Sequence, residues 1–116
     1  MDQGLGKRLF DFSVNVIKYS RKLPNSKEYD IVKNQLIKSS TSVGANYEES
    51  QAGSSKADFN NKVRISLREM RESNYWLRII EAMEEYSEND ELRWLLNESS
   101  ELKKILGSIV QKTRKD

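Results

Sequence analysis

From Leu92 onward the apolar residues fall at alternating intervals of three and four, at Leu92, Leu95, Leu102, Leu106 and Ile109, with Ser99 in the same register. At about 3.6 residues per turn this spacing puts all of them on one side of an α-helix, and the alternation is the seam along which bundled helices meet. A strand turns successive side chains to opposite faces and has no use for such a pattern. Three further segments carry helical spacing, no segment alternates as a strand would, and no G-x-G-x-x-G turn is present. The only proline, Pro24, lies in the linker ahead of the second of these segments, so every helix interior is free of it.

The first helix is predicted over about residues 6–22, ending before Pro24 because the residue preceding a proline is pushed out of the helical region. Leu5, Leu9, Phe12, Val16 and Leu23 form one stripe along it, and Phe10, Val14 and Ile17 form a second, rotated by roughly 120°. The second helix, over about residues 26–51, opens on Asn25 or Ser26 as N-cap, with Glu28 and Asp30 in the dipole-favoured first turn. Its inward face is Tyr29, Val32, Leu36, Ser39 or Ser40, Val43 and Tyr47. The third, over about residues 55–86, has Phe59, Val63, Leu67, Met70, Asn74 and Leu77 on one stripe. Ile65, Glu72, Trp76, Ile79, Met83 and Tyr86 make its second stripe. The fourth, over about residues 90–112, follows the cap-rich segment from Ser87 to Asp90. Long helices with short connections make an all-α fold, expected as an antiparallel up-down-up-down four-helix bundle in a single domain.

Between Gln35 and Phe59 the second helix narrows: Ser39, Ser40, Thr41, Ser42, Gly44 and Ala45 give it a surface of small side chains. A glycine inside a helix costs about 0.5–1 kcal/mol relative to alanine, so Gly44 points to close approach of another backbone or a bulky ring. Gly53 is expected in the left-handed C-cap conformation, and Ser55 with Asp58 resembles a capping box for the third helix.

Composition narrows the chemistry. The chain has no cysteine and no histidine, which removes disulfides, thiolate nucleophiles, imidazole bases and the usual zinc, copper and haem ligands. Glu69 and Glu72 are spaced to share a divalent ion, but di-iron bundles draw on Glu-x-x-His motifs that this chain lacks. The expectation is therefore no catalytic residue, no metal and no cofactor, and a protein that is not an enzyme. No run of about 18 apolar residues spans a membrane, and the opening MDQGLGKRLF lacks a signal peptide's apolar core. A cytoplasmic protein follows as the expectation. With 36% apolar and 33% charged residues the core is thin for a monomer, leaving room for subunit contacts to bury more.

The run LPNSKEYDIVKNQLIKSSTSVGANYEESQAGSSKADF, followed by REMRESNYWLRII, resembles the small bacterial four-helix-bundle proteins first noticed as products of intervening sequences in large-subunit ribosomal RNA genes. The resemblance rests on Leu23, Pro24, Tyr29, Gln35, Leu36, Ser39 to Gly44, Asn46, Glu49, Ser55 and Phe59, and spans roughly residues 9–110. It implies a bundle that assembles with copies of itself, commonly as a pentameric ring. A distant relative of that family is an accessory protein that binds nucleic acid and a reverse transcriptase in diversity-generating retroelements. The resemblance thus implies RNA, DNA or a nucleic-acid-processing protein as partners beside the chain itself. One departure matters: many members carry glycine and arginine after the glutamate, where this chain has Ser50, Gln51, Ala52, Gly53 and Ser54.

Three sets of candidate residues follow. Two apolar stripes on each of two helices exceed what a lone bundle needs, so Phe10, Val14, Ile17, Gly44, Trp76, Ile79 and Met83 are the expected oligomer interface. The alternative for the aromatic group is that it fills the monomer's own core. Glu49 and Glu72 are expected to fix packing register, with Asn46 as a third structural polar residue; Glu72, inside an apolar stripe, needs an arginine such as Arg68 or Arg71, or another cluster of donors. The candidate nucleic-acid contacts are Arg64, Arg68, Arg71, Lys103, Lys104, Lys112, Arg114 and Lys115, with Lys56, Lys62 and Arg78 among the same helices' bases. Glutamates interleave with most of these, as on any solvated helix. At a net charge of +2 only multiplication by copies in an assembly would make such patches effective. A purely protein–protein scaffold is the competing reading. A membrane-surface role for the first helix is disfavoured by Asp11 and by the need to bury its stripes.

Overall fold

A computed structural model of the chain describes residues 3–53, 55–84 and 89–114. It contains four α-helices: α1 (Gln3–Ser20), α2 (Lys27–Gln51), α3 (Lys56–Met83) and α4 (Asp90–Thr113). The caps follow the local chemistry. Ser26 accepts from the Tyr29 amide at 3.2 Å, Ser55 from the Asp58 amide at 3.1 Å and Asn89 from the Leu92 amide at 2.9 Å, each satisfying a donor that a helix start leaves free. α1 tightens at its end, where the Lys22 amide donates to the Tyr19 carbonyl and Leu23 to Ser20, before Pro24 closes the way to further helix. α3 stops at Met83, with Glu84 extended beyond it. The expected continuation to Tyr86, and the candidate caps Ser87 and Glu88, lie outside the described residues.

The turn between α2 and α3 departs from expectation. Ala52 caps α2 at φ −98° and ψ 2°, and no glycine among the described residues has a positive φ. Gly53 therefore does not provide a left-handed cap. It stands instead where a Cβ would meet the Ser50 carbonyl oxygen at 3.3 Å, so crowding explains the missing side chain.

Each helix packs against its neighbour in the chain and α4 closes back onto α1, while among the described residues the diagonal pairs bring no Cα atoms within 8 Å. Cross-helix bonds run in opposite senses along the α2–α3 and α3–α4 seams. On α2 and α3, Ser39 pairs with Ser73 and Val43 with Ser66; on α3 and α4, Asn60 meets Val110 and Asn74 meets Ser99. This is the contact pattern of an up-down-up-down bundle. The rod measures 47 × 24 × 22 Å.

The inward stripes read from the sequence make the core. Leu9, Phe12, Val16, Leu36, Val43, Val63, Met70, Leu77, Leu102 and Leu106 are all fully buried, each contributing about 1.5–3 kcal/mol on removal from water. Tyr19 and Ile80 join them; both continue a stripe by one turn, at three residues beyond Val16 and Leu77. The interior is also unusually hydroxylic. Ser39, Ser40, Ser66, Ser73 and Ser99 are buried and bonded: Ser39 and Ser73 share a hydrogen bond of 2.8 Å, and Ser66 donates to the Val43 carbonyl at 2.8 Å. Ser13 likewise donates to the Ser40 carbonyl at 2.8 Å. The small residues of α2 thus let α1 and α3 approach from within the same chain, each bond adding about 0.5–1.5 kcal/mol.

Candidate functional site

Two surface features among the described residues gather the sequence-predicted candidates: an apolar groove along α1 and α2, and a basic cleft at one end of α3 and α4. The groove exists because α1 turns its second stripe outward while the facing edge of α2 offers no large apolar side chain. Gly6, Phe10, Val14 and Ile17 form one wall and Thr41, Gly44, Ala45 and Glu48 the other, around about 350 Å³. Phe10 is 66% exposed, whereas Val14 and Ile17 are half-buried. An added Cβ at Gly44 would lie 3.8 Å from Leu9, which is ordinary contact. Packing inside the chain therefore does not demand a glycine there; what the missing side chain does is keep the groove open.

The aromatic group on α3 is placed differently. Trp76, Ile79 and Met83 are half-buried and pack against the core, and Trp76 Nε1 donates to Glu72 Oε2 at 3.1 Å. Glu72 thus takes its donor from an indole four residues on, not from Arg68 or Arg71, which are both exposed. Tyr75 meets Trp76 edge-on at 5.2 Å and carries the Arg78 guanidinium over its ring at 5.6 Å. Burial and the neighbouring Glu72 raise the Glu69 carboxyl above its ordinary value. Among the described residues no three His, Cys, Asp or Glu side chains converge on a metal position. Of the other polar candidates, Glu49 is exposed and pairs with Lys62 at 2.8 Å across the α2–α3 seam. Asn46 donates to the Ser42 carbonyl at 2.9 Å within its own helix.

The basic cleft joins the start of α3 to the end of α4 around about 580 Å³, lined by Lys56, Phe59, Asn60, Arg64, Lys112 and Arg114 among others. Its walls are tied by Asn60, whose amide donates to the Val110 carbonyl at 3.1 Å and to Thr113 Oγ1 at 2.9 Å. The same side chain accepts from Arg64 Nε at 2.9 Å, which fixes the plane of that guanidinium. The sequence-predicted bases thus divide. Arg64, Lys112 and Arg114 meet in the cleft, Arg68, Arg71, Lys103 and Lys104 do not line it, and Lys115 lies outside the described residues.

Sequence reasoning missed the clamp between α1 and α4. Arg8 binds Glu98 through Nε and Nη2 at 3.0 and 2.8 Å and reaches Glu101 at 2.6 Å. These bonds raise the guanidinium's already high pKa further. Nothing in the spacing of Arg8 signalled it, since its partners lie in the last helix.

Four helices with a hydroxyl-bonded interior, a groove and a cleft place the molecule among small four-helix proteins. The chain belongs to the 23S rRNA-intervening sequence protein family, whose pattern it matches over residues 3–108. It is similar to a solved structure from Bacteroides thetaiotaomicron VPI-5482, a protein of unknown function from the S23 ribosomal protein family. The two are 32% identical and superpose with a TM-score of 0.81, covering 91% of this chain and 97% of the other. Among curated proteins none matches the chain. No helix among the described residues is long and apolar enough to cross a membrane.

Proposed function

We propose that this protein is a non-enzymatic assembly module, a homo-oligomer in which copies meet through the α1–α2 groove, commonly as a ring of five. The observation that carries it is Phe10, a phenylalanine 66% exposed on the rim of a groove whose opposite wall is the small residues Gly44, Ala45 and Thr41 with Glu48 at its edge. A ring of that size left in water is unfavourable in a monomer, and a second copy would remove it. The half-buried Trp76, Ile79 and Met83 on α3 offer a further contact surface. Sedimentation of the full chain tests the reading: the wild type runs as a multiple of 13.5 kDa and Phe10→Glu runs as a single copy. A well-folded wild-type monomer at micromolar concentration would overturn it.

The basic cleft favours a second role for the same assembly, association with RNA or DNA, in which repetition around the oligomer multiplies a modest local charge. Such binding should weaken as salt rises. Gel shifts across a salt series check this, and binding indifferent to salt would contradict it. A pure protein–protein scaffold is what remains if no nucleic acid binds at low salt.

A further inference from the structure

We infer that the cleft between the start of α3 and the end of α4 is a seat for a phosphorylated nucleoside, its phosphate held by Arg64, Lys56, Lys112 and Arg114 and its base laid on Phe59. The inference rests on the nucleic-acid reading above and names the unit that this surface would recognise.

Cations from two helices far apart in sequence converge here, and among the described residues no carboxylate lines the space with them. None of the four is in an ion pair among the described residues, a state they share with Arg68, Arg71, Lys103 and Lys104; what sets them apart is that they line one space. Arg64 is also oriented in advance. The buried Asn60 Oδ1 accepts a hydrogen bond from Arg64 Nε, which leaves both terminal nitrogens for a ligand, in the fork that suits two phosphate oxygens. Asn60 can do this because its own amide is committed to α4; one side chain thus sets the width of the cleft and aims its strongest donor.

The helix start adds to the field. Lys56 and Ala57 line the cleft as the first residues of α3, and backbone amides of a first turn lack carbonyl partners within the helix. The Ser55 side chain serves the Asp58 amide, so it does not consume those of Lys56 and Ala57. Phe59 is half-buried against the core and gives the cleft an apolar wall, a surface on which any base can stack. The space, about 580 Å³ and open on one side to solvent, falls within the range of small-ligand clefts, about 300–1,000 Å³.

The test titrates the full chain with adenosine 5′-monophosphate and, separately, with a single-stranded RNA of ten nucleotides labelled at its 3′ end, following the amide resonances of Lys56, Ala57 and Thr113. Both probes are expected to shift those resonances. Arg64→Gln should weaken both by about tenfold, the loss of a charge-assisted bond. The double variant Lys103→Gln with Lys104→Gln, outside the cleft, should change nucleotide affinity by less than about twofold. Phe59→Leu should cost adenosine monophosphate about tenfold while leaving inorganic phosphate unaffected, a split that mere loosening of the fold would not produce. If the RNA binds but Arg64→Gln and the lysine double variant weaken it equally, the seat is refuted and the diffuse electrostatic reading stands. If the mononucleotide seats in the cleft and the RNA does not bind, the seat stands and the nucleic-acid reading falls. If neither probe binds at low salt, both fall.

Discussion

The second stripes of α1 and α3 look equivalent in sequence, each an apolar row beside the row that enters the core, yet the fold treats them unequally. On α3, Trp76, Ile79 and Met83 settle half-buried against the core, and Trp76 finds a hydrogen-bond partner in Glu72. On α1, Phe10 stays 66% exposed over a groove. The difference comes from the neighbours. α3 packs broadly against α2 and α4, whereas the edge of α2 that faces Phe10 carries Thr41, Gly44 and Ala45, too small to cover the ring. Hydrophobic surplus on a helix therefore predicts a partner only where the tertiary neighbours are too narrow to cover it.

Breaking the comparison on the α3 side should give the largest change in stability. Trp76→Ala is expected to cost about 2–3 kcal/mol, less than a fully buried tryptophan because this one is half-covered, measured by urea denaturation. A fall in sedimenting mass at concentrations where the variant is folded would show that the α3 face is an interface as well. Arg8→Leu tests how far α1 depends on its polar clamp. It should cost about 1–2 kcal/mol, discounted for the solvent that reaches Arg8, and part of the loss should vanish in high salt.

Tyr19 offers a sharper probe of the α1 inner stripe. Its hydroxyl is buried without a partner, so Tyr19→Phe should stabilise by about 1 kcal/mol. Burial first, then the charge of Glu84, holds its pKa above the ordinary value; Tyr29 is shifted the same way by burial and by its bond to Glu84. Folding thus favours the protonated phenols. The stability they contribute is complete below about pH 10, the unfolded value, and is lost as pH rises through the raised folded values. Thermal melts above that pH should fall more gently in Tyr19→Phe than in the wild type.

The smallest expected effect carries the most information about the groove. Gly44→Ala meets only ordinary contact with Leu9, so it should stabilise the helix by about 0.5–1 kcal/mol. By filling the groove it should at the same time weaken self-association in sedimentation. Stability and assembly moving in opposite directions would separate the groove from the core; moving together would merge them.

Much of the architecture was legible before any coordinates. The stripes of Leu9, Phe12 and Val16 or of Val63, Met70 and Leu77 repeat at the helical period, and Ser26 and Ser55 sit where a helix start wants an oxygen; these are short-range facts carried by neighbouring residues. The position of Gly53 was legible too, but its reason was not, because the crowding oxygen of Ser50 becomes apparent only once the turn is built. The cleft was half visible: Arg64, Lys112 and Arg114 could be singled out as bases, while their meeting, and the part of Asn60 in it, could not.

Alone, the sequence determined the helices, their N-caps, their inward faces and the chemistry denied to a chain without histidine or cysteine, since each follows from local periodicity or from composition. Only the tertiary structure decided which apolar stripe stays outside, which cations share a cleft and which carboxylates Arg8 clamps. Those outcomes depend on the separation and rotation of helices distant in the chain, and no local pattern encodes them.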